Sequence, residues 1–302
     1  MTDWVIWFFQ SLAMAIYNIG YALTHLGQWL DWSDKQSMMR FIYYGGSQEL
    51  FFAALLVFLI VTAIGFWRNS FMWKMVRGLE GIANKIGRFF AWAGIFMVVQ
   101  QIMIVFLQRV FRVAEITISP FGMDFTKDLS WYGEELKLYN AIIVTLCVTY
   151  TFVQGGHVRV DLVYSNVKYR TKKVIDMFGS LFFMLPMATL IWMYSWYFMW
   201  RHLITPKVSA SDTLELLLRK SKVLKWNVET IGFSPSGFNA YFLFKVLLVT
   251  FTLLIFLQAV AFFYRSYLEW KEGPSSEGKY IDRDARDEPE EEAYEAMHVG
   301  VE

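Results

Sequence analysis

The sequence predicts an all-α integral membrane protein: a bundle of about six spanning helices with one amphipathic helix at the membrane surface. Two observations carry this. The 302 residues are 56% hydrophobic and 19% aromatic, with a mean hydropathy of +0.35, too apolar for an ordinary soluble domain. The apolar residues also fall in runs that reach the roughly 20 residues needed to cross a hydrocarbon core of about 30 Å. A net charge of +1 gives no footprint for nucleic acid, and no basic patch is interleaved with aromatics along a soluble face. The single cysteine, Cys147, lies inside an apolar run, which rules out a disulfide within the chain and favours a packing role. The start, MTDWVIWFFQ, lacks the basic region and small-residue cleavage pattern of a removable signal peptide.

The first segment, Trp4 to Leu30, contains no Asp, Glu, Lys or Arg. Gln10, Asn18, Thr24, His25 and Gln28 stud it, so one face is expected to pack on protein; an interfacial amphipathic helix is the competing reading. Leu50 to Trp67 is a purer span. Arg68 to Arg88 is basic, with Trp73, Met75 and Leu79 at helical spacing, and suits a helix along the membrane surface with aromatics inward and basic residues toward headgroups.

Phe89 to Leu107 is the next span. Adjacent helical residues diverge by about 100°, so Gln100 and Gln101 cannot face one neighbour, and at least one is expected to hydrogen-bond across a helix interface. Val113 to Ser130 reads as a loop. The segment from Trp131 to Val153 begins with Glu134 and Glu135 and continues as an apolar run, closed by Gly155 and Gly156. After these come the polar set His157, Arg159 and Asp161 and a basic linker.

Val174 to Trp200 is a long span in which Pro186 should cause a kink, because proline removes one helical hydrogen bond and crowds the preceding turn. Trp192, Tyr194, Trp196, Tyr197 and Trp200 mark an interface belt. Arg201 to Gly237 is a long extramembrane loop with an amphipathic piece, and Phe238 to Tyr264 is the last span, interrupted by Lys245. The tail beyond Trp270 is acidic and low in hydrophobes, the composition of a disordered segment. The divisions are therefore 1–67, an extension with two hydrophobic helices; 68–88, the basic surface helix; 89–270, a four-helix region; and 271–302, the acidic tail.

Six spans place both termini on one side. About 15 Lys and Arg fall on that side against about 12 on the other, a thin margin that assigns the termini to the cytoplasm.

Each polar residue has a functional and a structural reading. His157, Arg159 and Asp161 suit either a subunit-docking turn or a self-satisfied one; a metal site would need more ligands than one His and one Asp. Glu134 and Glu135 fall near a helix start, where the dipole favours carboxylates, and the sharper alternative is an ion pair with a partner subunit or with Lys245. Lys245, inside a span, is either such a partner or a snorkelling residue. His25 lacks the facing histidine that a b-type haem would require, so no cofactor is expected. No nucleophile with its base, phosphate loop or carboxylate pair suggests an enzyme. Internal repeats and paired broken spans, expected of a chain with its own midplane substrate site, are also missing from the sequence.

The segment GGHVRVDLVYSNVKYRTKKVIDMFGSLFFMLPM resembles the small membrane subunit of tripartite ATP-independent periplasmic (TRAP) transporters, the DctQ-type family, and within it the branch linked to mannitol or chloroaromatic uptake. HVRVD, the following YS, the basic run before Val174, and the step Leu185-Pro186 carry the likeness. Trp131 with Glu134, Glu135 and Leu136 is similar to the entry of the family's second helix. SPSGF, FLFK ending at Lys245, and Leu257-Gln258 are similar to its fourth. The resemblance runs from about Asn84 to about Trp270.

The resemblance implies a non-catalytic, four-helix subunit of the bacterial inner membrane with both ends cytoplasmic. Its partners would be a large membrane subunit, which holds the substrate and sodium sites, and a periplasmic substrate-binding protein that it helps to seat. Trp131, Glu134, Glu135, His157, Arg159, Asp161, Pro186 and Lys245 become the expected interface or structural residues. The extension before about residue 83 and the length of the loop after Arg201 depart from the pattern. Outside the resemblance, a membrane anchor of another complex, such as a respiratory one, and an autonomous channel are the other classes.

Overall fold

The computed structural model describes residues 2–118, 122, 125–155, 167–230 and 237–282. Helices dominate: α1 (Thr2–Thr24), the single turn α2 (Gly27–Leu30), α3 (Lys35–Gly45), α4 (Gln48–Trp67), α5 (Asn69–Phe90), α6 (Trp92–Phe106), α7 (Leu129–Val153), α8 (Tyr169–Gly179), α9 (Leu185–Leu203), α10 (Leu214–Lys220) and α11 (Phe242–Glu272). Two small antiparallel ribbons join them, β1 (Glu115–Ile118) with β2 (Phe125–Asp128), and β3 (Ile204–Thr205) with β4 (Lys225–Trp226). Among the described residues, six segments are long and apolar enough to cross a membrane. With the many exposed apolar side chains on these segments, the molecule is an all-α membrane bundle.

Two expectations about elements are corrected. Within the segment read as a loop, Glu115–Ile118 and Phe125–Asp128 are paired antiparallel strands, with Glu115 opposite Asp128 and the Thr117 and Thr126 hydroxyls 2.9 Å apart. The first helix stops at Thr24, short of Leu30, where the Thr24 hydroxyl and the His25 ring bond back to carbonyls of the last turn. Its contact with protein is made on α4, where the rings of Trp7 and Phe8 both meet Phe52.

α5 buries Trp73 as its spacing suggests, whereas Met75 and Leu79 are only half-buried beside the main stripe. Trp73, Val76, Glu80, Ala83, Asn84 and Gly87 line one buried stripe, while Lys74 and Lys85 face outward. The stripe lies across two other helices. Its start meets the end of α11, where Met72, Trp73 and Val76 pack with Tyr264 and Leu268. Its end meets α7, where the Gly87 backbone lies against Tyr150 and its carbonyl accepts from Cys147 Sγ at 3.4 Å. A Cβ on Gly87 would enter the Tyr150 side chain, so only glycine permits this crossing.

Pro186 sits at the second position of α9, directly after a widened π segment, Ser180–Met184, that joins α8 to α9 without a break. The bulge places the residue with no N–H where the regular ladder has already slipped, which is how a long helix absorbs a proline. α7 ends at Val153, and Gly155 just beyond it, with a φ of +77°, turns the chain out of the helix in the left-handed region.

The opposite end holds a packed module. α3 is capped at its start by Asp34, which accepts from the backbone of Gln36 and Ser37 at 3.1 and 3.0 Å. Those bonds, the Gln36 backbone first, hold the Asp34 carboxyl below the ordinary carboxylate range. At its end the carbonyls that a helix leaves unpaired are taken by aromatic donors from α9. Trp196 Nε1 donates to Ile42 O at 2.8 Å, Trp192 Nε1 to Gly45 O at 2.8 Å, and the Tyr197 hydroxyl to Tyr43 O at 2.9 Å. Met39, Ile42, Trp196, Trp200, Ile204, Val208, Leu217 and Leu224 form the core of this module. The N-terminal extension and the loop after α9 thus share one core.

Candidate functional site

The sequence-predicted residues fall into separate places rather than one cleft. At the start of α7, Trp131 sets its ring against Phe238 at 5.2 Å, and Glu134 Oε2 accepts from the Phe238 backbone N–H at 2.9 Å. Gln100 Nε2 donates to Glu135 Oε2 at 3.0 Å and to Tyr132 O at 3.1 Å. Trp131, Glu134 and Glu135 therefore tie α6, α7 and the segment leading into α11 into one knot. The expectation that one of the two glutamines bonds across a helix interface is met by Gln100. The dipole reading of the carboxylates is not met, because α7 starts at Leu129 and both glutamates stand beyond its first turn.

Lys245 is buried on α11 without either glutamate. Its Nζ lies over the rings of Tyr241 and Phe198 at 4.9 and 5.0 Å, and no ion pair to it exists among the described residues. Of the alternatives left open for these residues, a Lys245–Glu134 or Lys245–Glu135 pair is not formed. Aromatic faces take the cation instead, and the Phe238 N–H and Gln100 satisfy the carboxylates. His157, Arg159 and Asp161 lie outside the described residues.

A buried ionic cluster at the other end of the bundle was missed from sequence. Glu80 of α5 receives both Arg265 Nε, at 2.6 Å, and Arg265 Nη2, at 2.5 Å, a two-pronged pair from α11. Arg265 also reaches Glu269 at 3.4 Å, which Lys173 of α8 meets at 2.6 Å. All four side chains are buried. The chain beyond α11 completes the shell: the Gly278 N–H donates to Glu269, and the Lys279 carbonyl accepts from Arg265. Trp73 donates to Glu272 at 2.9 Å, with Tyr280 against its ring.

Asp282 ties this returning segment to α5 and to the end of α7. Its carboxylate takes Arg88 at 2.7 Å and its carbonyl takes Gln154 at 2.8 Å. The Arg88 guanidinium holds the Asp282 carboxyl below its ordinary range. The signal that could have exposed the cluster is Glu80 itself, the only acid in a basic helix, placed on the stripe of Trp73, Val76 and Ala83. Three helices distant in sequence, and the segment that follows the last of them, converge there, an arrangement that suits a fixed joint.

Bundle and joints define a multi-pass α-helical membrane protein whose polar groups are spent on holding helices together. Residues 102–211, from the middle of α6 into the loop after α9, match the family model described as the DctQ component of tripartite ATP-independent periplasmic transporters. That stretch is similar to TRAP small-permease proteins, and it includes the HVRVD and Leu185-Pro186 segments. The match leaves out α1 to α5, and it ends before the FLFK and Leu257-Gln258 pieces of α11. No curated protein and no solved structure matches the chain.

Proposed function

We propose that this chain is the non-transporting small membrane subunit of a sodium-driven TRAP uptake system. In this role it braces the large membrane subunit and helps to seat the periplasmic substrate-binding protein. The observation that carries the reading is the DctQ match over residues 102–211. The geometry supports it in kind. Helices cross-tied at both ends by buried pairs resist relative motion, which suits a part against which a neighbouring chain moves.

The reading places the chain in the bacterial inner membrane with both termini cytoplasmic. The Arg265 cluster then faces the cytoplasm, and the module of α3, α10 and the β3–β4 ribbon faces the periplasm. His157, Arg159 and Asp161 become cytoplasmic residues available to the large subunit. Trp131, Glu134, Glu135, Pro186 and Lys245 shape the scaffold from within. The α5 face carrying Lys74 and Lys85 rests against headgroups of the lipid bilayer.

Co-purification tests the assignment. The tagged chain, extracted from native membranes in mild detergent, is expected to bring down a TRAP large membrane subunit in a fixed ratio. Recovery of redox-active partners, or of the chain alone from cells that express the large subunit, would overturn it.

A further inference from the structure

The loop after α9 carries charge that the fold leaves unmatched. Residues 201–230 contain six Lys or Arg against three Asp or Glu. Lys220 pairs with Asp212 at 2.6 Å, and Glu229 lies 3.2 Å from His202. Among the described residues, Arg201, Lys207, Arg219, Lys222 and Lys225 have no ion pair.

Three of these, Arg219, Lys222 and Lys225, fall within one short stretch and alternate with exposed apolar groups. Val223 is 61% exposed and Trp226 59% exposed. The apolar side of this stretch is already used, because Leu217 and Leu224 are buried in the core shared with Met39 and Ile42 of α3. What faces outward is therefore basic and aromatic by construction. Its shape is preset, since the aromatic donors of α9 lock α3, the floor of the module, in place.

We infer that the N-terminal extension and the loop after α9 together form a preformed docking platform for the soluble substrate-binding protein. Arg219, Lys222, Lys225 and Trp226 meet an acidic contact surface on it. This rests on the orientation and family role proposed above. Three physical arguments favour this occupant over lipid headgroups. Lys and Arg are disfavoured in short translocated loops, so unmatched ones there call for a use. An amphipathic helix that served only to lie on a bilayer would keep its apolar stripe free, and α10 has spent its own. A partner that must arrive and leave in every cycle gains most from electrostatic steering around a small aromatic anchor.

The test uses the full chain with its large subunit in phosphatidylcholine nanodiscs and the purified binding protein. The triple variant R219E/K222E/K225E is expected to weaken binding by about tenfold or more, mainly through slower association, and to flatten the salt dependence. Trp226→Ala is expected to speed dissociation. Wild-type affinity in the triple variant overturns the inference, as does a wild-type complex that contains the large subunit yet binds no binding protein. If no large subunit accompanies the chain, the family role itself fails, which is a distinguishable result. A polarity-sensitive dye on Val223→Cys, in a Cys147→Ser background, is expected to shift on adding the binding protein. A shift on adding anionic phosphatidylglycerol alone assigns the surface to the membrane and also overturns the inference.

Discussion

Replacing Arg265 with methionine is expected to destabilise the protein by about 3–5 kcal/mol, the cost of leaving a buried carboxylate without its partner. Arg265 is the hub of the joint: it holds Glu80 of α5 with two prongs, Glu269 of its own helix, and the carbonyl of Lys279 in the returning segment. Without it Glu80 is a buried anion that has lost both of its guanidinium donors, and Glu269 keeps only Lys173 and a backbone N–H. Denaturant titration in mixed micelles measures the loss. The double variant E80Q/R265M removes both charges together and is expected to recover most of it, since a buried pair is worth far less than the cost of breaking it. If the single variant is as stable as wild type, the cluster is not a structural joint.

Trp196→Ala is expected to release α3 from the bundle. The indole packs in the core of the module and donates to the Ile42 carbonyl, so the change opens a large cavity and strands an acceptor, a loss of about 3–5 kcal/mol. Hydrogen exchange reads it locally. Amides of α3 should exchange about a hundredfold faster or more, while those of α7 keep their protection. Trp196→Phe, which retains most of the packing and loses the bond, should fall between. Unchanged exchange in α3 would mean that α9 does not anchor the extension.

The spans were legible because hydropathy over about 20 residues is set by the bilayer and not by neighbours. Helix ends were less so. α11 runs on to Glu272, past the apolar stretch that stops at Tyr264, because its last polar residues are satisfied by α5, α8 and the returning segment. The β1–β2 ribbon was hidden in a stretch with little hydrophobic alternation, and its pairing is visible only once the strands meet. Gln100 was readable in kind: a buried amide must find a partner, although its identity, Glu135, is a matter of helix rotation. The surroundings of Lys245 were not readable, because a cation in a span can be taken by ring faces as well as by carboxylates, and sequence spacing does not tell the two apart. Glu80, Lys173, Arg265 and Glu269 lie on three separate helices, so their meeting is a property of the packing alone.

The central claim is that this chain stands still in the membrane while another chain carries the solute. The direct measurement is uptake of sodium-22 and of radiolabelled organic acids by liposomes that contain this chain alone. The account predicts rates no different from those of protein-free liposomes. Flux above that background, with no large subunit present, would contradict it.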